Sequence, residues 1–145
     1  MKKFEAANNR TAARSKPREG RILVVEDNCD SRDILAKLLR MSGFEVISAP
    51  DGQSGYETAL QHSPDLIITD INMPGMDGFE LLRKVRRESS LAGTAVLVVT
   101  AFGEEAALEA RRAGADAASA KPFDFEGFIK MVDSLIFRRR PLARG

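Results

Sequence analysis

Two hydrophobic patterns alternate along the chain. Short apolar runs, rich in β-branched residues, occur at RILVVED (21–27), PDLIITD (64–70) and TAVLVVT (94–100). Continuous runs of this length predict strands buried on both faces. FEVISA (44–49) alternates apolar and polar positions, as a less buried strand does, and DAASAKPF (116–123) is a weaker strand pattern. Between these runs the apolar spacing becomes helical. Residues 30–41 put Ile34, Leu35, Leu38 and Leu39 on one face, with Asn28 or Asp30 as the cap. Residues 51–62 form a weaker helix with Gly55 inside it. Residues 77–87 turn Phe79, Leu82 and Val85 inward, and 104–113 end at Gly114, a natural C-terminal stop. Residues 124–137 turn Phe125, Phe128, Ile129, Val132 and Leu135 or Ile136 inward.

Five strands alternating with five helices predict an α/β fold, a parallel sheet with helices on both faces and right-handed crossovers. Ligands in such sheets bind beyond the carboxyl ends of the strands. The first strand ends in Glu26-Asp27, the third in Asp70, the fourth in Thr100 and the fifth in Lys121-Pro122. The second ends in Ala49-Pro50, with nothing reactive. A cluster of three carboxylates, one hydroxyl and one ammonium follows if strands one, three, four and five share an edge. Close carboxylates repel and call for a cation. An oxygen-only set suits a hard divalent ion such as Mg²⁺. A carboxylate nucleophile, a metal, an ammonium and a hydroxyl are the parts of phosphoryl transfer onto Asp.

Composition adds mainly exclusions. The 145 residues suit one domain, and 43% hydrophobic with 30% charged residues is ordinary for a globular chain. A net charge of +1 points to no nucleic-acid or membrane partner. No apolar run approaches the roughly 18 residues that span a bilayer, and the basic start MKKFEAANNR lacks the apolar stretch of a signal peptide. Cys29 is the only cysteine, so no internal disulfide forms, consistent with a cytoplasmic setting. It reads as a small loop residue, and His62 as a solvated helix end. Residues 1–20 read as a flexible polar tail, 21–138 as the domain, and 139–145 as a basic tail; the basic residues of both tails read as solvated rather than as a nucleic-acid surface.

The motifs VVED, TDINMPGMDG, VVTA and AKPF, in this order and spacing, resemble those of response-regulator receiver domains over about 21–137. The resemblance implies a flavodoxin-like (βα)5 fold in a stand-alone, chemotaxis-type form. Asp70 is then the phosphoacceptor, with Thr100 and Lys121 on the phosphoryl group. Asp27, Asp70 and the Asn72 main-chain carbonyl hold Mg²⁺, with Glu26 acting through water. The bond before Pro122 is often cis in this family. The implied partner is a histidine kinase or histidine phosphotransfer protein, and the implied output is a protein target contacted by strand four, helix four, strand five and helix five. Such a domain catalyses its own phosphorylation and dephosphorylation and is not otherwise an enzyme. Two positions depart from the pattern. Glu26 stands where Asp is commoner, and Ala118 where a rotating aromatic is frequent. Phe102, two residues after Thr100, is bulky enough to limit water access to an acyl phosphate. Alternatives from other classes are an unphosphorylated interaction module and the receiver fragment of a larger regulator. A Mg²⁺-dependent phosphatase is disfavoured, because Asn72 replaces the acid such enzymes carry two residues after the nucleophile.

Overall fold

The computed structural model describes residues 20–121 and 124–139. Five strands alternate with five α-helices: β1 (Arg21–Val25), α1 (Cys29–Met41), β2 (Glu45–Ala49), α2 (Gly52–His62), β3 (Leu66–Asp70), α3 (Gly78–Arg87), β4 (Ala95–Thr100), α4 (Gly103–Arg112), β5 (Ala117–Ala120) and α5 (Phe125–Arg139). The expected tails and the bond before Pro122 lie outside the described residues, apart from Gly20 and from Arg139, which closes α5 rather than opening a tail. The one unexpected element is a 3₁₀ turn at Ser89–Leu91, which buries Leu91 between α3 and β4.

The strands pair in the order β2-β1-β3-β4-β5, all parallel. Because successive side chains of a strand point to opposite faces, the continuous apolar runs feed two cores at once. Ile22, Val24, Leu66, Ile68, Leu97 and Val99 face α1 and α5, meeting Ala36, Leu39, Phe128 and Val132. Leu23, Val25, Ile67, Val96 and Val98 face the other layer, meeting Ala59, Leu81, Leu82, Val85 and Ala110. The alternating run FEVISA becomes the edge strand β2, where only one face needs burying. The weak fifth strand is the opposite edge, half-buried along its whole length.

Helix starts follow local chemistry. Asn28 is the cap of α1, its side chain accepting from the Ser31 amide. Asp51 caps α2, and Asp77 with Glu80 closes a reciprocal capping box on α3. Gly114 follows α4 with φ +115°, which lets the chain reverse after the last turn. One inward assignment is corrected. Ile34 is 60% exposed, because α1 rolls to set Ala36 and Leu39 against the sheet while Leu35 and Leu38 are half-buried. The apolar stripe of α1 is wider than its contact with the sheet.

Candidate functional site

The chain leaves β1 toward one edge of the sheet and returns to β3 on the other side, so the crevice lies at the carboxyl ends of β1 and β3. Register sets the side chains there. Val25 pairs with Thr69 and Asp70 with Val99. The Lys121 amide donates to the Thr100 carbonyl at 2.7 Å, which fixes Lys121 beside the end of β4.

Four side chains converge. One oxygen each of Glu26, Asp27 and Asp70 lies within 4.8 Å of the others. Lys121 Nζ stands 3.6 Å from Glu26 Oε1 and 3.7 Å from Asp70 Oδ2. Glu26 is buried, and its Oε2 accepts from the Asn28 amide at 3.0 Å. Its pKa is raised, first by burial and further by the Asp70 charge, against the lowering effects of the Asn28 amide and Lys121. Asp27 is exposed. Asp70 Oδ1 accepts from the Ile71 amide at 2.7 Å, which aims the other oxygen at Lys121. Thr100 is wholly buried, and its Oγ1 accepts from the Phe102 amide at 3.0 Å. Asn72 is exposed in the loop after Asp70. Phe102 is 60% exposed, so its ring lies largely in solvent in this state.

The loop from Asp70 to α3 is stiff for stated reasons. Gly75 takes φ +77° to turn the chain. Gly78 packs against the Asp70 carbonyl so closely that a Cβ would overlap it, and its amide donates to the Ile71 carbonyl at 2.8 Å. The acid at the end of a buried strand therefore has its own backbone clamped by the loop beside it.

Two features of the site were not anticipated. Arg32 reaches back from α1 and donates from Nη1 to the Glu26 carbonyl at 2.9 Å. An apolar groove of about 570 Å³ opens beside Glu26 and Lys121, lined by Ile34, Leu35, Leu38 and Phe125 among others. The signal in the sequence was the apolar stripe of α1 at Ile34, Leu35 and Leu38, which is wider than its contact with the sheet.

The family model of the response regulator receiver domain matches residues 22–133. The chain belongs to the response regulator receiver family. Receiver domains bind Mg²⁺ at an acidic pocket, and here the acidic cluster is Glu26, Asp27 and Asp70. Among curated proteins, the receiver is 36% identical over 119 residues to the DNA-binding dual master transcriptional regulator RpaA of Synechocystis, covering 81% of this chain and 49% of that protein. It is 36% identical over 125 residues to the transcriptional regulatory protein PdtaR of Mycobacterium tuberculosis, covering 85% of this chain and 60% of that one. The chain thus spans about half the length of the curated relatives it matches. Among solved structures, the chemotaxis protein CheY4 of Vibrio cholerae aligns with a TM-score of 0.72 at 32% identity, over 79% of this chain and 97% of that one. A response regulator receiver domain protein from Clostridium thermocellum aligns with a TM-score of 0.76 at 27% identity, over 83% and 96% of the two chains. No helix among the described residues is long and apolar enough to cross a membrane.

Proposed function

We propose that this receiver accepts a phosphoryl group on Asp70 from a phosphohistidine of a partner kinase or phosphotransfer protein, in a Mg²⁺-dependent reaction. The observation that carries the reading is the convergence of Lys121 Nζ on Asp70 Oδ2 at 3.7 Å, inside a cluster of three carboxylates. In the transfer, an oxygen of Asp70 bonds to phosphorus as the bond from phosphorus to the partner's imidazole nitrogen breaks, and the neutral or protonated imidazole leaves. The product is an acyl phosphate.

Each neighbour has work that its position supports. Lys121 offers an ammonium to the oxygens of the transferring group, whose charge is spread over them in the transition state. Thr100 Oγ1 accepts from Phe102 in this state, and its own hydrogen remains to be donated to a phosphoryl oxygen. The donor set suits Mg²⁺: three carboxylates crowd together, burial raises the Glu26 pKa, and Lys121 is the one ammonium within 4 Å of them among the described residues. Asp27, Asp70 and the Asn72 main-chain carbonyl are the residues to hold the ion, with Glu26 acting through water. When bound, Mg²⁺ neutralises charge on the phosphoryl oxygens. The apolar groove beside Lys121 offers a partner protein surface to grip while its histidine meets Asp70.

The switch follows from one hydrogen bond. When the Thr100 side chain shifts toward a phosphoryl group far enough to carry its Oγ1 out of reach, the Phe102 amide loses its acceptor and the start of α4 is released. Ala118 leaves β5 without an aromatic, so the face of β4, α4, β5 and α5 is altered through the loop at 101–103. The output is contact with a protein target.

The test is the intact mass after incubation with a small phosphodonor and Mg²⁺. A mass increase of one phosphoryl group is expected, absent in Asp70→Asn and after chelation. An unmodified mass in a folded protein shifts the reading to an interaction module that works without phosphorylation.

A further inference from the structure

Arg32 is in the wrong place for a surface arginine. It is the fourth residue of α1, in the turn where the helix dipole favours acids and disfavours cations. Its side chain is half-buried and turns back past the helix start, where Nη1 donates to the Glu26 carbonyl at 2.9 Å. That carbonyl belongs to the peptide unit that leads directly into Asp27. The same short loop is fastened twice more. The Asn28 amide donates to Glu26 Oε2 at 3.0 Å, and the Ser31 amide donates to Asn28 Oδ1 at 2.9 Å. Of the carboxylates in the cluster, Asp27 is the exposed one, so its placement depends on its backbone rather than on packing around its side chain.

We propose that Arg32 is a positioning residue for the metal site: its bond to the Glu26 carbonyl fixes the backbone that carries Asp27. The inference rests on the proposed function, since it assigns Arg32 to the site expected to hold Mg²⁺. Groups that orient metal ligands from behind typically contribute 10–100-fold to metal affinity. An arginine that served only to fasten the helix start would leave metal affinity unchanged.

The experiment is a Mg²⁺ titration of the metal-free protein, followed by amide chemical shifts, on wild type, Arg32→Ala, Arg32→Gln and Arg32→Lys. Arg32→Ala and Arg32→Gln are expected to weaken Mg²⁺ binding about 10–100-fold. Arg32→Lys keeps a charge and a donor and recovers part of the loss. At saturating Mg²⁺ the phosphorylation rate with a small phosphodonor returns to near the wild-type value, because the reacting groups are untouched. Wild-type Mg²⁺ affinity in a folded Ala or Gln variant overturns the inference. So does a loss of affinity that tracks a lowered unfolding midpoint and is the same in all three variants. If wild type itself binds no Mg²⁺, the proposed function and this inference fall together; if wild type binds and Arg32→Ala binds equally well, only this inference falls.

Discussion

At the scale of single residues, the position of Asp70 is set as much by what is missing near it as by what touches it. Gly78 has no side chain, and one would collide with the Asp70 carbonyl and crowd the Ile71 Cα. Both obstacles are backbone, so neither can rotate away. Gly78→Ala is expected to cost about 1–3 kcal/mol, the usual penalty of overpacking, and to slow phosphorylation of Asp70 by shifting its backbone. Urea unfolding midpoints and phosphorylation rates of the variant measure the two effects; an unchanged midpoint rejects the clamp. The residues of the candidate site were legible because each stands at the end of a strand pattern, where an acid, hydroxyl or ammonium has no packing reason to be. Gly78 read only as a turn residue, since nothing local announces that a carbonyl eight residues back will lie against it. Arg32 was missed although its sign, a cation in the first turns of a helix, was open to inspection. Ile34 was misassigned because helical spacing gives the apolar face and not how far the helix rolls on its sheet.

At the scale of elements, caps and braces decide how firmly each helix holds its end of the crevice. Asp51 accepts from the Ser54 amide at 2.8 Å at the start of α2, and its carboxyl is held below the usual value chiefly by that bond. A depressed folded pKa contributes stability above the unfolded value of 3.8, and the contribution disappears as pH falls through the lower folded value. Asp51→Ala is therefore expected to cost about 1 kcal/mol at neutral pH and less in strong acid, where the wild-type cap is itself protonated. Denaturant unfolding of both proteins at pH 7 and below pH 3.8 measures this; a gap that widens in acid has the wrong sign. Arg86 is the corresponding brace at the far end of the sheet. It donates to the Thr94 carbonyl at 3.0 Å, the Gly114 carbonyl at 3.0 Å and Asp116 Oδ2 at 2.6 Å, joining α3 to the starts of β4 and β5. The same Asp116 oxygen accepts from the Val96 amide at 2.8 Å. Arg86→Ala is expected to destabilise by roughly 1–2 kcal/mol, moderated by partial exposure. A thermal melt equal to wild type would show that water replaces the brace at no cost. The order and type of all the strands and α-helices followed from the period of the apolar residues. Their ends shifted by up to three residues, and the 3₁₀ turn went unseen because three residues carry no period. The brace was equally invisible, since four basic residues near the end of a helix look like ordinary dipole complements.

At the scale of the whole molecule, the sheet is buried on both faces and three carboxylates are gathered at one rim. Two apolar layers hold the ends of β1, β3 and β4 rigidly enough for three carboxylates to be kept closer together than they prefer. That arrangement sacrifices stability in the metal-free protein, because folding brings like charges together and buries Glu26. The unfolded chain holds no such cluster, so an ion that binds it binds only the folded state. Linkage then fixes the size of the effect: Mg²⁺ at about a hundred times its dissociation constant raises the unfolding free energy by about 2.7 kcal/mol. Asp27→Asn separates the two halves of this argument. It removes one charge from the cluster without touching either core, since Asp27 is exposed. The variant is expected to be at least as stable as wild type without metal, and to gain much less when Mg²⁺ is added. Urea unfolding of both proteins, with Mg²⁺ and with a chelator, gives the four values required. Equal Mg²⁺ gains in the two proteins would remove Asp27 from the ion's ligands, whereas a variant less stable than wild type without metal would mean that Asp27 serves the fold before it serves the site.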